Sequence, residues 1–126
     1  MAKKPPADPR SLAALEALMA DLRDPQGGCP WDVEQDHRSI ARYCIEEAYE
    51  VVDAIENGSD AELKSELGDL LLQVVFHSQM AKERGAFTLR DVIEGIVTKM
   101  VRRHPHVFDA GDGRDAEGQT AAWEEM

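Results

Sequence analysis

The sequence predicts an all-α protein, an antiparallel four-helix bundle that is completed by dimerisation. Four segments repeat their apolar residues at spacings of three and four, which is the period of a helix with one buried face. Each of these segments begins or ends at residues typical of helix termini. No segment alternates apolar and polar residues as a half-buried strand does. With 126 residues, the chain is expected to form one domain.

The N-terminal part of the chain is predicted to hold a lead, a helix and a loop. Residues 1–10 contain three prolines and two lysines and are expected to be a disordered lead. Ser11 can cap a helix that begins at Leu12 and ends near Arg23, because its hydroxyl can accept a hydrogen bond from the first turn. Turn-forming residues then fill Asp24–Asp36, which is predicted to be one long loop.

Helices two and three have well-marked ends. Helix two is predicted over His37–Asn57, with Gly58 as the left-handed residue that closes it. The sequence Ser59-Asp60-Ala61-Glu62 is typical of a capping box and opens a helix that continues to Arg84. Helix three has more apolar circumference than three neighbours of this length are expected to cover. We therefore predict at least a dimer, built on helices two and three.

The C-terminal part of the chain is predicted to hold the fourth helix and a tail. Thr88 begins another capping signal, and the helix is expected to end before Pro105. The helical domain is therefore assigned to residues 11–108. Residues 109–126 are interpreted as a mobile tail, rich in glycine and aspartate, with the start of an interrupted helix from Thr120.

Composition excludes several classes of partner and place. The formal net charge of -11 argues against a general affinity for nucleic-acid backbones or anionic membrane surfaces, since both need a basic footprint. Cys29 and Cys44 form neither a metal-type spacing nor a disulfide framework. No signal peptide or membrane-length apolar run is recognisable. A reduced cytoplasm is the expected location.

Two acidic pairs are set into the apolar patterns of helices two and three. Glu47 and Glu50 are three residues apart, as are Glu66 and Asp69, so each pair can direct two carboxylates to one side of its helix. Both pairs border an apolar stripe, which places them at the edge of the core. One interpretation is an ordinary solvated helix face. Because both pairs take this position on neighbouring helices, a metal site is favoured.

The chemistry of these carboxylates favours a hard divalent cation. Four carboxylates at a buried edge would repel and raise one another's pKa values unless cations compensate. Ligands made only of oxygen favour Mg²⁺, with Mn²⁺ as a possible substitute. Magnesium is usually held by a few carboxylates together with waters and substrate phosphates, so phosphate chemistry is predicted. The sequence has no Gly-rich phosphate loop or recognisable protein nucleophile, and water is the expected nucleophile.

Four further residues are candidates for substrate binding. Lys99, Arg102 and Arg103 close helix four, where they either complement the negative helix end or neutralise a substrate's phosphates. Trp31 either stacks on a nucleobase or anchors its loop to the core.

The four histidines are interpreted structurally. His104 and His106 could bind a metal as a pair, although shaping the turn after helix four is favoured. His77 is interpreted as a core histidine with satisfied hydrogen bonds, and His37 as a surface residue.

At this point the acidic segments identify a family resemblance. Glu46-Glu47-Ala48-Tyr49-Glu50 and Glu66-Leu67-Gly68-Asp69-Leu70-Leu71 resemble the Glu-x-x-Glu and Glu-x-x-Asp signature of the MazG family, which are all-α nucleoside triphosphate pyrophosphohydrolases. The resemblance extends from about Leu12 to Phe108. Its other segments are Leu22-Arg23-Asp24-Pro25, Cys29-Pro30-Trp31-Asp32 with Gln35, and Arg102 to Phe108.

The resemblance implies hydrolysis of a nucleoside triphosphate between its α- and β-phosphates, with broad or non-standard nucleotide clearance as the role. It implies that Mg²⁺ is carried by Glu47, Glu50, Glu66 and Asp69, and that the protein is a dimer or a dimer of dimers. We expect a metal-activated water to attack the α-phosphorus. Glu46 is expected to orient or deprotonate that water.

Three alternatives stay open. The chain could be a non-catalytic nucleotide-binding or regulatory half of a tandem protein, since many MazG proteins carry two such domains and this chain has one, with the family's final helix interrupted. It could also be a narrower dUTP or dCTP pyrophosphatase. The third alternative, a carboxylate-bridged di-iron bundle, is disfavoured. It needs a Glu-x-x-His from each of two helices, and only Glu34 and His37 fit, at the edge of a loop.

Overall fold

The computed structural model describes residues 2–108 and 116–124, with side chains as far as Thr120. Over this part of the chain the regular structure is entirely helical, which confirms the all-α class. The helices are α1 (Leu12–Leu22), α2 (Pro30–Glu34), α3 (His37–Asn57), α4 (Asp60–Glu83), α5 (Leu89–Arg102), α6 (Pro105–Phe108) and α7 (Ala116–Glu124).

The long helices begin where their capping residues indicate. The Ser11 hydroxyl accepts from the Ala14 N–H at 3.0 Å, so α1 starts at the predicted residue. The bounds predicted for α3 are confirmed, but the left-handed conformation predicted for Gly58 is wrong, because this residue has an extended backbone with a φ of -106°. At its C-terminal end, α4 stops at Glu83 and is capped by Arg84. Gly85 follows with a φ of 72°, a left-handed conformation that ends the helix.

The predicted loop over residues 24–36 is wrong in one respect, because it contains the short helix α2. Pro30 occupies the first helical position, where its fixed φ suits a helix and its missing N–H is not needed. The Gln35 amide donates to the Trp31 carbonyl at 2.7 Å, across the end of this helix. Five residues are too few to show a helical period, so proline was the only signal in the sequence.

The chain divides into two compact units, Met1–Leu89 and Arg90–Met126, which are described separately. In the N-terminal unit, α4 packs against both α3 and α1. The buried apolar core of this unit comprises Met19, Ile40, Ala54, Val75, Phe76, Met80, Ala81 and Leu89. Among the described residues, no helix combines the length and the apolar character needed to cross a membrane.

The C-terminal unit departs from two predicted boundaries. After α5 ends at Arg102, Pro105 begins α6 instead of only ending the fourth helix, since proline is favoured at a first helical position. The helix α7 begins at Ala116, four residues before the predicted Thr120. The Gln119 amide contacts His104 Nε2 at 3.0 Å and ties α7 to the segment before α6. The predicted tail residues 109–115 and 125–126 lie outside the described residues.

The N-terminal lead has no helix or strand over residues 2–10. Lys3 Nζ nevertheless contacts Asp24 Oδ2 at 2.8 Å and Asp21 Oδ1 at 3.8 Å. The hydrogen bond between Lys3 and Asp24 raises the pKa of Lys3 and lowers the pKa of Asp24. Disorder of the lead in solution stays a prediction.

His37 and His77 form a pair that the sequence interpretation did not anticipate. Their Nδ1 atoms are 2.8 Å apart, and Arg84 Nε donates to His37 Nε2 at 3.2 Å. His37 Nε2 is therefore an acceptor, so the proton of neutral His37 is on Nδ1 and is donated to His77 Nδ1. The proton of neutral His77 is then on Nε2, a buried atom with no partner among the described residues. His77 is thus not the fully satisfied core histidine that was expected, and His37 is not a simple surface residue.

This pair predicts a loss of stability in mild acid. Burial, and then the charge of His37, lower the pKa of His77 below its ordinary value of 6.5. The unfolded chain therefore binds more protons, and the stabilisation is complete above pH 6.5 and lost as the pH falls through the folded-state pKa. Urea unfolding of wild type and His77→Gln, measured from above pH 6.5 into mild acid, should show that the free energy of unfolding depends less on pH in the variant. Equal pH dependence in both proteins would contradict the assignment.

Candidate metal centre

The packing of α3 against α4 brings three of the predicted carboxylates together. Oxygen atoms of Glu47, Glu66 and Asp69 all lie within 4.8 Å of one another. Glu66 and Asp69 are three residues apart on α4, so they share a side of the helix that meets α3. Glu47 and Glu66 are half-buried, whereas Asp69 is exposed. The cluster therefore opens to solvent on the side of Asp69.

The charges in this cluster act on one another. Burial, followed by the charges of Asp69, Glu50 and Glu46, raises the pKa of Glu47. Burial, followed by Asp69, Glu50 and Glu47, raises the pKa of Glu66, and a hydrogen bond with Asp69 adds to this shift. A divalent cation would relieve this repulsion, and a donor set of carboxylate oxygens alone suits Mg²⁺ or Mn²⁺. The residues present therefore fit the cation that the sequence predicts.

Glu50 and Glu46 occupy less central positions. Glu50 is exposed and is not one of the three converging carboxylates, although its charge acts on both Glu47 and Glu66. Glu46 is exposed beside Glu47, and its charge also acts on Arg42. The structure thus brings together three of the four predicted ligands and leaves Glu50 within electrostatic reach.

An aromatic cavity adjoins the acidic cluster. Its volume is about 230 Å³, and Glu47 belongs to both its wall and the cluster. The Trp31 ring lies 6.4 Å from the Tyr43 ring and 6.5 Å, edge to face, from the Phe76 ring. Trp31 is nevertheless 50% exposed. It therefore anchors α2 to the core and still presents part of its indole to the cavity, so the two alternatives for Trp31 are compatible.

Arg23 holds α2 in this position, a role that sequence analysis missed. Its Nε and Nη2 donate to the two carboxylate oxygens of Glu83 at 2.9 and 2.7 Å. Its Nη1 donates to the carbonyls of Asp32, at 2.6 Å, and Gln35, at 3.1 Å. The guanidinium also lies 5.7 Å from the centre of the Phe76 ring. One side chain thus joins the end of α1, the C-terminal part of α2 and α4.

The predicted phosphate-binding cations lie in the C-terminal unit. Lys99 and Arg102 belong to the last turn of α5, and the Arg103 N–H donates to the Lys99 carbonyl at 3.0 Å. Lys99 and Arg102 line a cavity of about 370 Å³ that also includes Asp91 and Glu94. This position suits cations that complement a helix end. Their contact with a substrate's phosphates stays a prediction.

Comparison with known proteins identifies the family. The model of the MazG nucleotide pyrophosphohydrolase domain matches residues 35–108, which is more than half of the chain. The chain belongs to the MazG family. The range that matches the MazG model contains all five predicted catalytic acids and the predicted cations Lys99, Arg102 and Arg103, whereas Arg23 and Trp31 precede it.

Several relatives of this MazG chain are named nucleoside triphosphate pyrophosphohydrolases. A nucleoside triphosphate pyrophosphohydrolase/pyrophosphatase MazG of Thermotoga maritima is 54% identical over 99 residues, 79% of this chain and 38% of that protein. A nucleoside triphosphate pyrophosphohydrolase of Escherichia coli K12 is 48% identical over 112 residues, 89% of this chain and 43% of that protein. A protein of that name from Mycobacterium tuberculosis is 45% identical over 115 residues, 90% of this chain and 34% of that protein. This MazG chain therefore spans less than half the length of each of these relatives.

Proposed function

We propose that this MazG chain hydrolyses nucleoside triphosphates between the α- and β-phosphates, giving a nucleoside monophosphate and pyrophosphate. The observation that carries the proposal is the convergence of Glu47, Glu66 and Asp69 within 4.8 Å, inside the range that matches the family model. The names of the relatives support the substrate class, since several are nucleoside triphosphate pyrophosphohydrolases.

The acidic residues have distinct proposed roles. Glu47, Glu66 and Asp69, together with Glu50, would hold Mg²⁺, whose charge neutralises phosphate oxygens and favours ionisation of water. Glu50 is included because its charge raises the pKa of both Glu47 and Glu66. Glu46 would orient the attacking water or accept its proton, since it is exposed beside Glu47.

The bond changes follow from the products. The water oxygen forms a bond to the α-phosphorus, the bond from that phosphorus to the α,β-bridging oxygen breaks, and pyrophosphate leaves with that oxygen. Charge therefore moves toward the leaving group, and positive side chains near it would lower the barrier. This is the role proposed for Lys99, Arg102 and Arg103. Trp31 would position the base through its exposed indole surface.

The direct test is release of pyrophosphate from ribo-, deoxyribo- and modified nucleoside triphosphates, with and without Mg²⁺. We expect pyrophosphate and monophosphate in equal amounts, several accepted bases, and no reaction with a chelator present. Activity restricted to dUTP or dCTP would replace the broad proposal with the narrower one. Release of orthophosphate instead of pyrophosphate would contradict the proposed reaction.

A second candidate is a regulatory nucleotide-binding module. It is favoured by one observation, that the chain spans only 38% of the Thermotoga maritima relative and 43% of the Escherichia coli K12 relative. If nucleoside triphosphates bind tightly in calorimetry while no pyrophosphate forms, this candidate replaces the enzyme.

We also propose that two copies pair through α3 and α4, completing the predicted four-helix bundle and giving a dimer or a dimer of dimers. Large apolar side chains are exposed along α3, with Ile45 at 63%, Tyr49 at 71% and Ile55 at 64%. On α4, Leu67 and Leu71 are 48% and 46% exposed. Large apolar side chains exposed in this number on two long helices favour a surface that a second copy covers.

Ile45→Glu is expected to dissociate this dimer, because burying a carboxylate in an apolar interface is unfavourable. Light scattering after size-exclusion chromatography should give the mass of a single chain for the variant and a multiple of it for wild type. Gln26→Glu, which also introduces a carboxylate at an exposed position but lies outside α3 and α4, should leave the wild-type mass unchanged. A wild-type protein with the mass of one chain would contradict the proposal.

A further inference from the structure

Gln73 carries a buried side-chain oxygen to which none of the described residues donates a hydrogen bond. Its Oε1 is inaccessible to solvent and has no partner among the described residues. Buried polar atoms are nearly always hydrogen-bonded, and each exception calls for an explanation. Gln73 lines the aromatic cavity and follows Asp69 by four residues on α4, so it lies one helical turn beyond the acidic cluster.

The rest of the cavity wall indicates what would satisfy this oxygen. Trp31 offers a flat aromatic surface, on which a nucleobase can stack. The acidic residues of the cavity wall are Asp32 and Glu47. When they are ionised, their carboxylates can only accept hydrogen bonds. A ligand that stacks here and donates hydrogen bonds from its edge would complement both features.

We propose that Gln73 determines base specificity, by accepting a hydrogen bond from the exocyclic amino group of a nucleobase stacked on Trp31. The cavity then selects the amino-bearing bases adenine, cytosine and guanine over uracil and thymine. This inference rests on the proposed function and names its preferred substrates. The volume of about 230 Å³ is below the roughly 300–1,000 Å³ of sites that hold whole drug-sized ligands, which suits a base alone.

Cytosine and uracil show why an acceptor discriminates. Cytosine presents an amino donor at the ring position where uracil presents a carbonyl oxygen. An amino group facing Gln73 Oε1 forms a hydrogen bond, whereas a carbonyl oxygen faces it acceptor to acceptor and leaves both unsatisfied. Sites built around a hydrogen bond reject analogues that lack the matching group, because a buried polar group then stays unpaired.

The test uses the nucleosides cytidine and uridine, which have no phosphate to hydrolyse and are titrated without metal. Ribose, which lacks a base, is the control. Titrations of the full chain are followed by tryptophan fluorescence, and the difference between wild type and Trp31→Phe isolates the signal of Trp31. We expect wild type to bind cytidine more tightly than uridine by about three- to tenfold, the range of one hydrogen bond. Gln73→Met, which keeps the length of the side chain and removes the acceptor, should abolish this preference. Ribose should give no signal.

A stability measurement separates recognition from a structural role. Since no residue in the described part of the chain hydrogen-bonds Gln73 Oε1, Gln73→Met should melt at the same temperature as wild type or higher. Gln26→Met is the matched control, because Gln26 is exposed and outside the cavity, and it should change neither melting nor the preference.

Three outcomes would overturn the inference: equal affinity for cytidine and uridine in wild type, a preference for uridine, or a preference that Gln73→Met leaves intact. Its failure is distinguishable from failure of the proposed function. Pyrophosphate release without base preference would remove this inference alone. Discrimination between the nucleosides without pyrophosphate release would support it while contradicting the enzyme.

Discussion

Replacement of Asp69 by asparagine is expected to lower pyrophosphate release by more than about a hundredfold, because residues that only support metal ligands already cost roughly 10–100-fold when changed. Asp69 is the exposed member of the converging carboxylates, so the change should disturb no core packing. Initial rates of pyrophosphate release at saturating Mg²⁺ would measure the loss. Glu50→Ala should have a similar effect if the exposed Glu50 joins the metal.

Asp69→Asn should be folded and, without metal, at least as stable as wild type. The charge of Asp69 raises the pKa of both Glu47 and Glu66, so its removal relieves repulsion within the cluster. Urea midpoints in a chelator should therefore be equal or higher for Asp69→Asn. Added Mg²⁺ should raise the melting temperature of wild type more than that of the variant, since binding to the folded state stabilises it.

Glu56→Gln is the matched control for this experiment. Glu56 is an exposed carboxylate on α3, the helix that carries Glu47, and it is not part of the cluster. This variant should retain wild-type rates and the wild-type response to Mg²⁺. Pyrophosphate release near the wild-type rate in Asp69→Asn would end the assignment of the acids.

The sequence predicted those parts of the fold that depend on local signals. The bounds of α3 agree with the prediction because the end of a helical pattern and the glycine after it are both local in the sequence, so no tertiary information was needed. Proline was the ambiguous signal. Pro30 and Pro105 were interpreted as loop and stop signals, yet both begin short helices, because proline interrupts a helix only from inside it.

The residues of the candidate site also differ in whether local sequence signals could predict them. Glu66 and Asp69 could be paired from their spacing, since residues three apart on a helix are neighbours. Arg23 could not be assigned, because its carboxylate partner Glu83 is 60 positions away in sequence and only packing brings them together. Gln73 was one polar residue in a largely apolar helix, and its importance depends on a cavity that several elements enclose. Spacing therefore predicts groups on one helix, whereas cavities and long-range ion pairs require the structure.

Arg23→Met is expected to destabilise the N-terminal unit by about 2–4 kcal/mol, somewhat less than the loss typical of breaking a fully buried ion pair. The Arg23 side chain is only 10% exposed, but Glu83 is 37% exposed and can regain water when its partner is removed. The carbonyls of Asp32 and Gln35 lose their donor as well. Urea unfolding would measure the free energy, and near-ultraviolet circular dichroism would report the displacement of Trp31.

Two comparisons test whether the ion pair itself causes the loss. Arg23→Lys keeps the charge but lacks the planar fork that reaches both Glu83 oxygens and two carbonyls, so its loss should be intermediate. The hydrogen bond with Arg23 lowers the pKa of Glu83, so the pair stabilises the fold above the ordinary value of 4.5 and less as the pH falls through the folded-state pKa. The difference between wild type and Arg23→Met should therefore shrink in acid. A difference that stays constant with pH would show that Arg23 acts through packing on Phe76 and the two carbonyls, and not through its charge.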